Sequence, residues 1–345
     1  MRISYIKLTK LGGLFIKKYL STMILISIII ILSVVSLFVG AYGVTLSGIL
    51  SGDSNQVMLM FVSRLPRLLA LICTGVGMSV AGLIMQNLCA NKFISPTTGA
   101  TLTSAQMGVL ITLLALPSAT LWTKTIVAFI TSILGTWVFV WFIQRIKFKD
   151  IVMVPLIGIM FSTVLSGIIS YFSYANDLTQ IMATTLVGDF SLVIKGRYEI
   201  VFLVLPLIII AFIFSNHFNV VGMGETFSKN LGVNYKRILF GGLTITALIT
   251  ASVVVTVGSI SYVGLIIPNI VAIFKGDKIR GSLLDVALFG AAYVILCDII
   301  GRLVIAPFEL PIDLISGIIG SVIFLVLMFK KLSHKKPKKE AKSID

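Results

Sequence analysis

Charged side chains are scarce in this sequence: they make up 12% of 345 residues, against about a quarter in soluble domains. Hydrophobic residues account for 57% of the chain. So few polar groups cannot cover a surface that faces water, and this shortage excludes a soluble globular protein. The solvent around most of this chain must therefore be lipid.

Cysteine and histidine are also rare, with three and two residues. Cys73, Cys89 and Cys297 lie in or beside apolar stretches without paired spacing, so we expect structural thiols and predict no metal or cofactor site. Gly276–Ser282 has the glycine spacing of a phosphate-binding loop but lacks its lysine and a preceding strand. ATP with Mg²⁺ would therefore be hydrolysed by a partner subunit. A membrane-embedded enzyme is disfavoured, because no paired His, Cys or carboxylates converge at one depth.

Ten apolar stretches approach the length of about 20 residues that a helix needs to cross a bilayer. We predict an all-α membrane protein with one transmembrane domain over residues 1–330 and a basic tail over 331–345. The eighth predicted span is short and contains Pro268. The ten spans are 20–45, 62–88, 96–116, 120–143, 151–174, 199–216, 236–257, 259–274, 284–305 and 312–329.

The basic residues fall into two groups when the chain is threaded through these spans. Both termini and the loops on their side hold 22 of the 28 Lys and Arg residues. Cytoplasmic loops are enriched in Lys and Arg, so we expect both termini in the cytoplasm and the protein in the plasma membrane. The net charge of +15 then reflects loop anchors beside anionic lipid rather than nucleic-acid binding.

Two of the six remaining cations, Arg64 and Arg67, stand three residues apart before the second span. Pro66 between them presets the start of a helix. The pair either snorkels to the lipid interface or offers two planar cations to the carboxylates of a partner. Their concentration on a side with few cations favours docking.

Asp298 lies inside the ninth span, where an unpaired charge costs about 2.5–3.5 kcal/mol. Arg302, one helical turn later, is its natural partner. A proton relay would need further acidic or His residues at similar depth. We therefore predict a structural ion pair, and the sequence also lacks the inverted repeats and broken helices of an ion-coupled secondary transporter.

The predicted cytoplasmic link between spans two and three contains Asn91 and Pro96. The helix that follows begins with small polar residues, which are costly against lipid: Thr97, Thr98, Thr101, Thr103, Ser104 and Gln106. Two interpretations stay open. These residues either bond between helices or line a water-filled pathway with a constriction at its cytoplasmic end.

A second cytoplasmic segment, Gly222–Val233, is predicted to form a short amphipathic helix that ends at Gly232. Most loops in membrane proteins only connect helices. A helical loop bounded by glycine can also fit a groove in a partner, and we favour that interpretation.

Taken together, these segments resemble the ten-helix permeases of siderophore, haem and cobalamin importers, the type II ABC importers. The likeness extends from about residue 60 to the end of the chain. The matching pieces, in family order, are Arg64-Leu-Pro-Arg67, Gly82-Leu-Ile-Met-Gln86, Asn91 with Pro96, Gly224-Glu225, Leu231-Gly232-Val233, Gly258–Pro268, Asp298 with Arg302, and Glu309-Leu-Pro311.

The resemblance implies a complex of two such permeases, identical or paralogous, with two ATPase subunits and an extracytoplasmic substrate-binding lipoprotein. It further implies three functional groups of residues. Arg64, Arg67 and Arg302 would receive acidic residues of the binding protein, and Asn91 and Phe93 would form the cytoplasmic gate. The ATPase would contact the segment through Gly222, Gly224, Glu225, Leu231 and Gly232.

The sequence departs from many relatives at Asn91-Lys92-Phe93, where they have Asn-Pro-Leu, and at Pro268-Asn269, where they have Pro-His. These variants look like the branch associated with catecholate-type siderophores. We therefore expect an iron(III)–siderophore complex as substrate, with haem or cobalamin as the alternative.

Overall fold

The computed structural model describes residues 22–40, 45–145, 153–275 and 279–333. The regular secondary structure of the described residues is helical, and Val187 and Ser259 form an isolated β-bridge. Most of the predicted basic tail lies outside these ranges. So do the first 21 residues and part of the Gly276–Ser282 segment.

The helices are numbered in chain order, with a π-helical turn at Met60–Arg64 and a 3₁₀ turn at Glu199–Leu203. They are α1 Thr22–Phe38, α2 Leu46–Leu50, α3 Ser54–Leu59, α4 Leu65–Leu88, α5 Thr101–Ala115, α6 Leu121–Arg145, α7 Met153–Ala175, α8 Thr179–Leu186, α9 Val204–Gly222, α10 Glu225–Asn230, α11 Tyr235–Val257, α12 Val263–Lys275, α13 Ile279–Leu303 and α14 Ile312–Ser333.

Six helical stretches in the described chain are long and apolar enough to cross a membrane, and four shorter apolar helices accompany them. The six contain α4, α6, α7, α9, α11 and α13, and the four are α1, α5, α12 and α14. Each of these ten helices falls on one predicted span, which confirms the all-α membrane architecture. α12 has 13 residues, as expected of the short eighth span.

The centre of the bundle is α4, which packs against α9, α11, α12 and α13. Its glycines allow this. A methyl group at Gly82 would overlap the carbonyl of Gly264 on α12, and one at Gly75 would overlap that of Gly290 on α13. Small residues let helix backbones approach closely in lipid. These contacts confirm close packing at those glycines.

Pro268 lies inside α12, where it removes a backbone donor and frees a carbonyl one turn earlier. The side-chain amide of Gln86, on α4, donates to the carbonyls of Gly264 at 3.3 Å and Leu265 at 3.1 Å. A neighbouring helix thus satisfies the Gly264 acceptor that the proline leaves, as membrane helices require.

The third predicted span starts too early, because α5 begins at Thr101 rather than at residue 96. Two features delay the helix. The hydroxyl of Ser95 hydrogen-bonds to that of Thr97 at 2.7 Å, and Ala100 has a left-handed φ of 62°. Local side-chain bonds compete with helix formation in this way.

Side-chain contacts define two ends of the bundle. Thr22 bonds to Asp285 and Phe93 packs on Phe324, so the start of α1 and the later part of α14 lie at the end that contains Asn91. We call this the Asn91 end. Arg302 stands 17 residues beyond Asp285 on α13, about 25 Å along a helix, at what we call the arginine end.

Candidate functional site: two ends of one bundle

Three helices bring Arg64, Arg67 and Arg302 together at the arginine end. Arg64 closes the π-helical turn, Arg67 lies in the first turn of α4, and Arg302 lies in the last turn of α13. The end of α1 completes the cluster, because Val39 accepts hydrogen bonds from two of the three arginines. Three stretches that are distant in sequence therefore build one charged network.

Arg67 is held between two carboxylates. Its Nε and Nη2 donate to one oxygen of Asp298 at 3.1 and 2.7 Å. Its Nη1 donates to Glu309 at 2.6 Å. The side chain of Asp298 is 2% exposed and that of Glu309 is 28% exposed. Arg67 thus spans from the buried interior to the surface of this end.

Arg302 is 2% exposed and pairs with the second oxygen of Asp298. It also donates to the Ser36 hydroxyl at 2.6 Å and to the Val39 carbonyl at 2.6 Å, while Arg64 donates to the same Val39 carbonyl. Cations are stabilised at the carbonyl-bearing end of a helix. The Asp298–Arg302 pair predicted from the sequence is present, and it belongs to a larger network that anchors α1.

The docking prediction placed the arginines exposed on the side with few cations. In this structure, however, Arg64 and Arg302 are buried. Their guanidinium groups turn into the bundle instead of snorkelling towards the lipid interface. Sequence reasoning also missed the pairing of Arg67 with Glu309. The available signal was a second carboxylate, seven residues after Arg302, in a chain with 13 acids.

At the opposite end, the loop between α4 and α5 carries Asn91 and Phe93. Asn91 is buried, and its side-chain oxygen accepts from the backbone N–H of Phe93 at 2.9 Å. The ring of Phe93 packs edge-on against Phe324 of α14, with centroids 6.0 Å apart. Asn269 of α12 donates to the carbonyl of Lys92 at 2.8 Å. The loop is therefore held on α12 and α14.

The polar residues that follow this loop bond between helices. Thr136 of α6 donates to the hydroxyl of Thr101 at 2.9 Å, and Ser132 donates to the Thr101 carbonyl at 3.2 Å. Thr103 and Ser104 are buried as well. Of the two interpretations left open by the sequence, the structure favours packing between helices over a water-filled pathway along α5.

The segment Gly222–Val233 forms the short helix α10, as predicted. Gly224 precedes it with φ 106° and Gly232 follows it with φ 71°, backbone angles that glycine adopts without strain. Ser228 is buried and donates to the carbonyl of Gly224 at 2.8 Å. The opposite face exposes three apolar side chains: Met223, Phe227 and Leu231.

The predicted gate and the predicted coupling segment line one cleft. Its volume is about 420 Å³, and Asn91, Gly222, Gly224 and Glu225 all contribute to its wall. Gly222 itself packs against the carbonyl of Asn87 on α4. The start of α10 and the Asn91 loop are therefore neighbours across this cleft.

A second ion pair, which the sequence analysis did not predict, closes this end. Lys275 at the end of α12 contacts Asp285 of α13 at 2.5 Å, and Thr22 of α1 donates to the same carboxylate at 3.2 Å. Three helices are joined at one buried acid. The signal was available, because each partner stands at the end of a predicted span.

One exposed face of α7 is polar, although most of this helix is apolar. Thr163, Ser166, Ser170 and Tyr174 recur at helical spacing and are all exposed, and 17% of this apolar stretch is buried. Lipid solvates such a stripe poorly. The spacing is readable in the sequence, but the sequence analysis considered a polar lining only at the start of α5.

The ten-helix bundle, with polar contacts at both ends and an exposed polar stripe on α7, has the fold of an ABC transporter permease. A solved metal-chelate type ABC transporter in an inward-facing conformation superposes with a TM-score of 0.75 at 26% identity, covering 90% of this chain and 98% of that one. Residues 28–330 match the model of the FecCD transport family. The chain belongs to the FecCD transport family.

Two relatives with assigned substrates match most of the chain. The petrobactin import system permease protein YclN of Bacillus subtilis is 44% identical over 307 residues, which is 89% of this chain and 97% of that protein. The ferric-anguibactin transport system permease protein FatD of Vibrio anguillarum is 39% identical over 295 residues, 86% of this chain and 94% of that one.

Proposed function

We propose that this chain is the membrane-spanning permease subunit of an ATP-driven importer for an iron(III)–siderophore complex. The observation that carries the proposal is its near full-length similarity to permeases named for petrobactin and ferric-anguibactin. A catecholate-type complex stays our prediction within that class.

The orientation follows from charge. The described cations at the Asn91 end include Lys92, Arg145, Lys229 and Lys236, and the six of the smaller group lie at the arginine end. Because cytoplasmic loops are enriched in Lys and Arg, this distribution supports a cytoplasmic location for the Asn91 end. The arginine end then faces an extracytoplasmic binding protein.

Docking at that end would begin at Arg67, because its network reaches the surface through Glu309. Arg64 and Arg302 lie behind it and add positive charge without being exposed. Complementary charge at such an interface sets register and association rate more than affinity. Of the three arginines predicted to dock, Arg67 would therefore meet the binding protein, and Arg64 and Arg302 would act only through their charge.

Coupling to the ATPase would use α10. Its exposed face of Met223, Phe227 and Leu231 offers an apolar surface to a groove. Glu225 in its first turn lines the same cleft as Asn91. Closure of the ATPase subunits would therefore press on the elements that hold the cytoplasmic gate.

The pathway would lie between two permeases, beside the polar stripe of α7. A second permease covering this face removes a polar surface from lipid, and the small side chains permit close approach or hydration. Import would proceed by alternating access. The loaded binding protein docks, and ATP-driven closure of the ATPase subunits moves α10. The cavity then closes on one side of the membrane and opens on the other.

The test is reconstitution. The permease should co-purify with an ATPase chain, and uptake of radioactive iron supplied as ferric siderophore should stop when that ATPase is inactivated. Uptake that persists with an inactive ATPase, at normal expression of both chains, contradicts the proposal. The cognate binding protein should bind ferric siderophores in a fluorescence titration. Preference for haem or cobalamin instead would contradict the substrate assignment.

The docking assignment needs a test that is insensitive to misfolding. Arg67→Glu should abolish uptake, and replacing a facing carboxylate of the binding protein with arginine should restore it. Restoration cannot come from repairing the permease fold, because the second change is in another protein. Failure of every such exchange removes Arg67 from the interface, provided that Arg67→Glu is expressed and unfolds at the wild-type temperature and that wild-type docking is intact.

A further inference from the structure

The guanidinium group of Arg67 has two hydrogen-bonding edges that differ in exposure. The edge formed by Nε and Nη2 meets Asp298, whose side chain is 2% exposed. Nη1 meets Glu309, whose side chain is 28% exposed. Any molecule that approaches Arg67 from the surface therefore encounters Glu309 first.

Glu309 is also the more replaceable of the two carboxylates. Asp298 alone bonds to both Arg67 and Arg302. Its loss would therefore remove the negative charge that these two buried cations share. Glu309 contributes a single hydrogen bond of 2.6 Å to Arg67. Partly exposed ion pairs are held weakly, since water and salt compete for both partners. Another carboxylate could take its place at little cost.

The chain that delivers Glu309 exposes apolar side chains. Leu303, Val304, Ile305 and Phe308 are all exposed, and Phe308 is 75% exposed. The helix ends at Leu303, and non-helical backbone that faced hydrocarbon would leave polar groups unsatisfied. We name Leu303–Glu309 the docking loop. An exposed apolar patch rimmed by charge is typical of a protein interaction site.

We propose that the docking loop is a contact surface for the substrate-loaded binding protein, and that Glu309 occupies the site on Arg67 which a carboxylate of that protein takes on docking. The partner surface is a carboxylate set among apolar side chains. The apolar residues cover Val304, Ile305 and Phe308, and the carboxylate displaces Glu309. This inference rests on the proposed function, because it requires the arginine end to face a binding protein.

If Glu309 is displaced on docking, its replacement should strengthen binding of the loaded protein. If Glu309 only supports the fold, the same replacement should not strengthen binding. Glu309→Gln removes the competing charge while Asp298 still pairs with Arg67, so the loaded binding protein should bind the purified transporter about three- to tenfold more tightly. Phe308→Ser should weaken the same binding by a similar factor. Glu199→Gln is the matched control, because Glu199 is an exposed acid at this end that accepts from the Gly196 backbone.

Affinity is measured by surface plasmon resonance on the full complex in nanodiscs, with expression and ATPase activity checked for each variant. Glu309→Gln binding no tighter than wild type and the Glu199→Gln control overturns the displacement. Phe308→Ser binding as wild type overturns the contact surface and leaves the loop as a lipid-interface anchor. If the wild-type complex does not bind the loaded protein at all, the proposed function itself fails.

Discussion

Asp298 illustrates how much one side chain can hold in this protein. Its two oxygens bond to Arg67 and Arg302, and Arg302 continues to Ser36 and Val39 at the end of α1. The acid thereby joins α1, α4 and α13. Removing one partner of a buried network is costly because the other charges remain buried.

We therefore expect Asp298→Asn to destabilise the permease by about 3–5 kcal/mol, seen as a lower unfolding temperature in detergent. Asp177→Asn is the matched control. Asp177 lies in an exposed turn with φ 57°, a conformation that asparagine tolerates. Equal unfolding temperatures for the two variants would show that the network contributes nothing to stability.

Gln86 supports a second prediction about a single side chain. Gln86→Leu leaves the carbonyl of Gly264 without its side-chain donor, whereas that of Leu265 keeps the Asn269 amide. We expect a loss of about 1–3 kcal/mol. Pro268→Ala restores the N–H that bonds to Gly264 within α12. The double variant should therefore be less destabilised than the sum of the two single changes. Additive effects in this double-mutant cycle would contradict the pairing of Gln86 with the proline.

Among the helices, α10 is short and combines a buried anchor with an exposed apolar face. Ser228 anchors one side by bonding to Gly224, whereas Phe227 is 46% exposed on the other. A surface that contacts only a partner can be changed without affecting the isolated subunit. A substitution on this face can therefore distinguish coupling to the ATPase from simple connection of α9 and α11.

Phe227→Ser should leave the unfolding temperature of the isolated permease within about 1 °C, since surface changes cost less than about 0.5 kcal/mol. Co-purification with the ATPase should fall at least several-fold. Phe274→Ser is the control, because Phe274 is 81% exposed near the end of α12. Full retention of the ATPase by Phe227→Ser would assign α10 to simple connection.

The whole molecule is a bundle with two chemically different ends. The described cations of the two groups remain apart, and α13 connects Asp285 at one end to Arg302 at the other. The orientation of this bundle in the membrane decides which partner meets which end. A reversed orientation would present α10 to the binding protein and the docking loop to the ATPase.

Cysteine labelling tests the orientation directly. In a variant without the three native cysteines, a single cysteine at Met223 should react with a membrane-impermeant maleimide only after cells are opened. One at Leu192, exposed at the arginine end, should react in intact cells. Labelling of position 223 from outside would reverse the topology and remove the basis of the proposed function.

The sequence by itself determined that lipid surrounds most of the chain. It also determined the ten apolar helices, the separation of the cations into two groups and the Asp298–Arg302 pair. Each of these depends on composition, length or spacing within one helix. Only the tertiary structure decided that Arg67 bonds to Asp298 and Glu309, and that Gln86 donates to the Gly264 carbonyl freed by Pro268. It also decided that the polar start of α5 is buried while the stripe on α7 is exposed. These features join residues that are up to 242 positions apart. Apolar periodicity within a nearly uniformly hydrophobic chain carries no information about which faces meet.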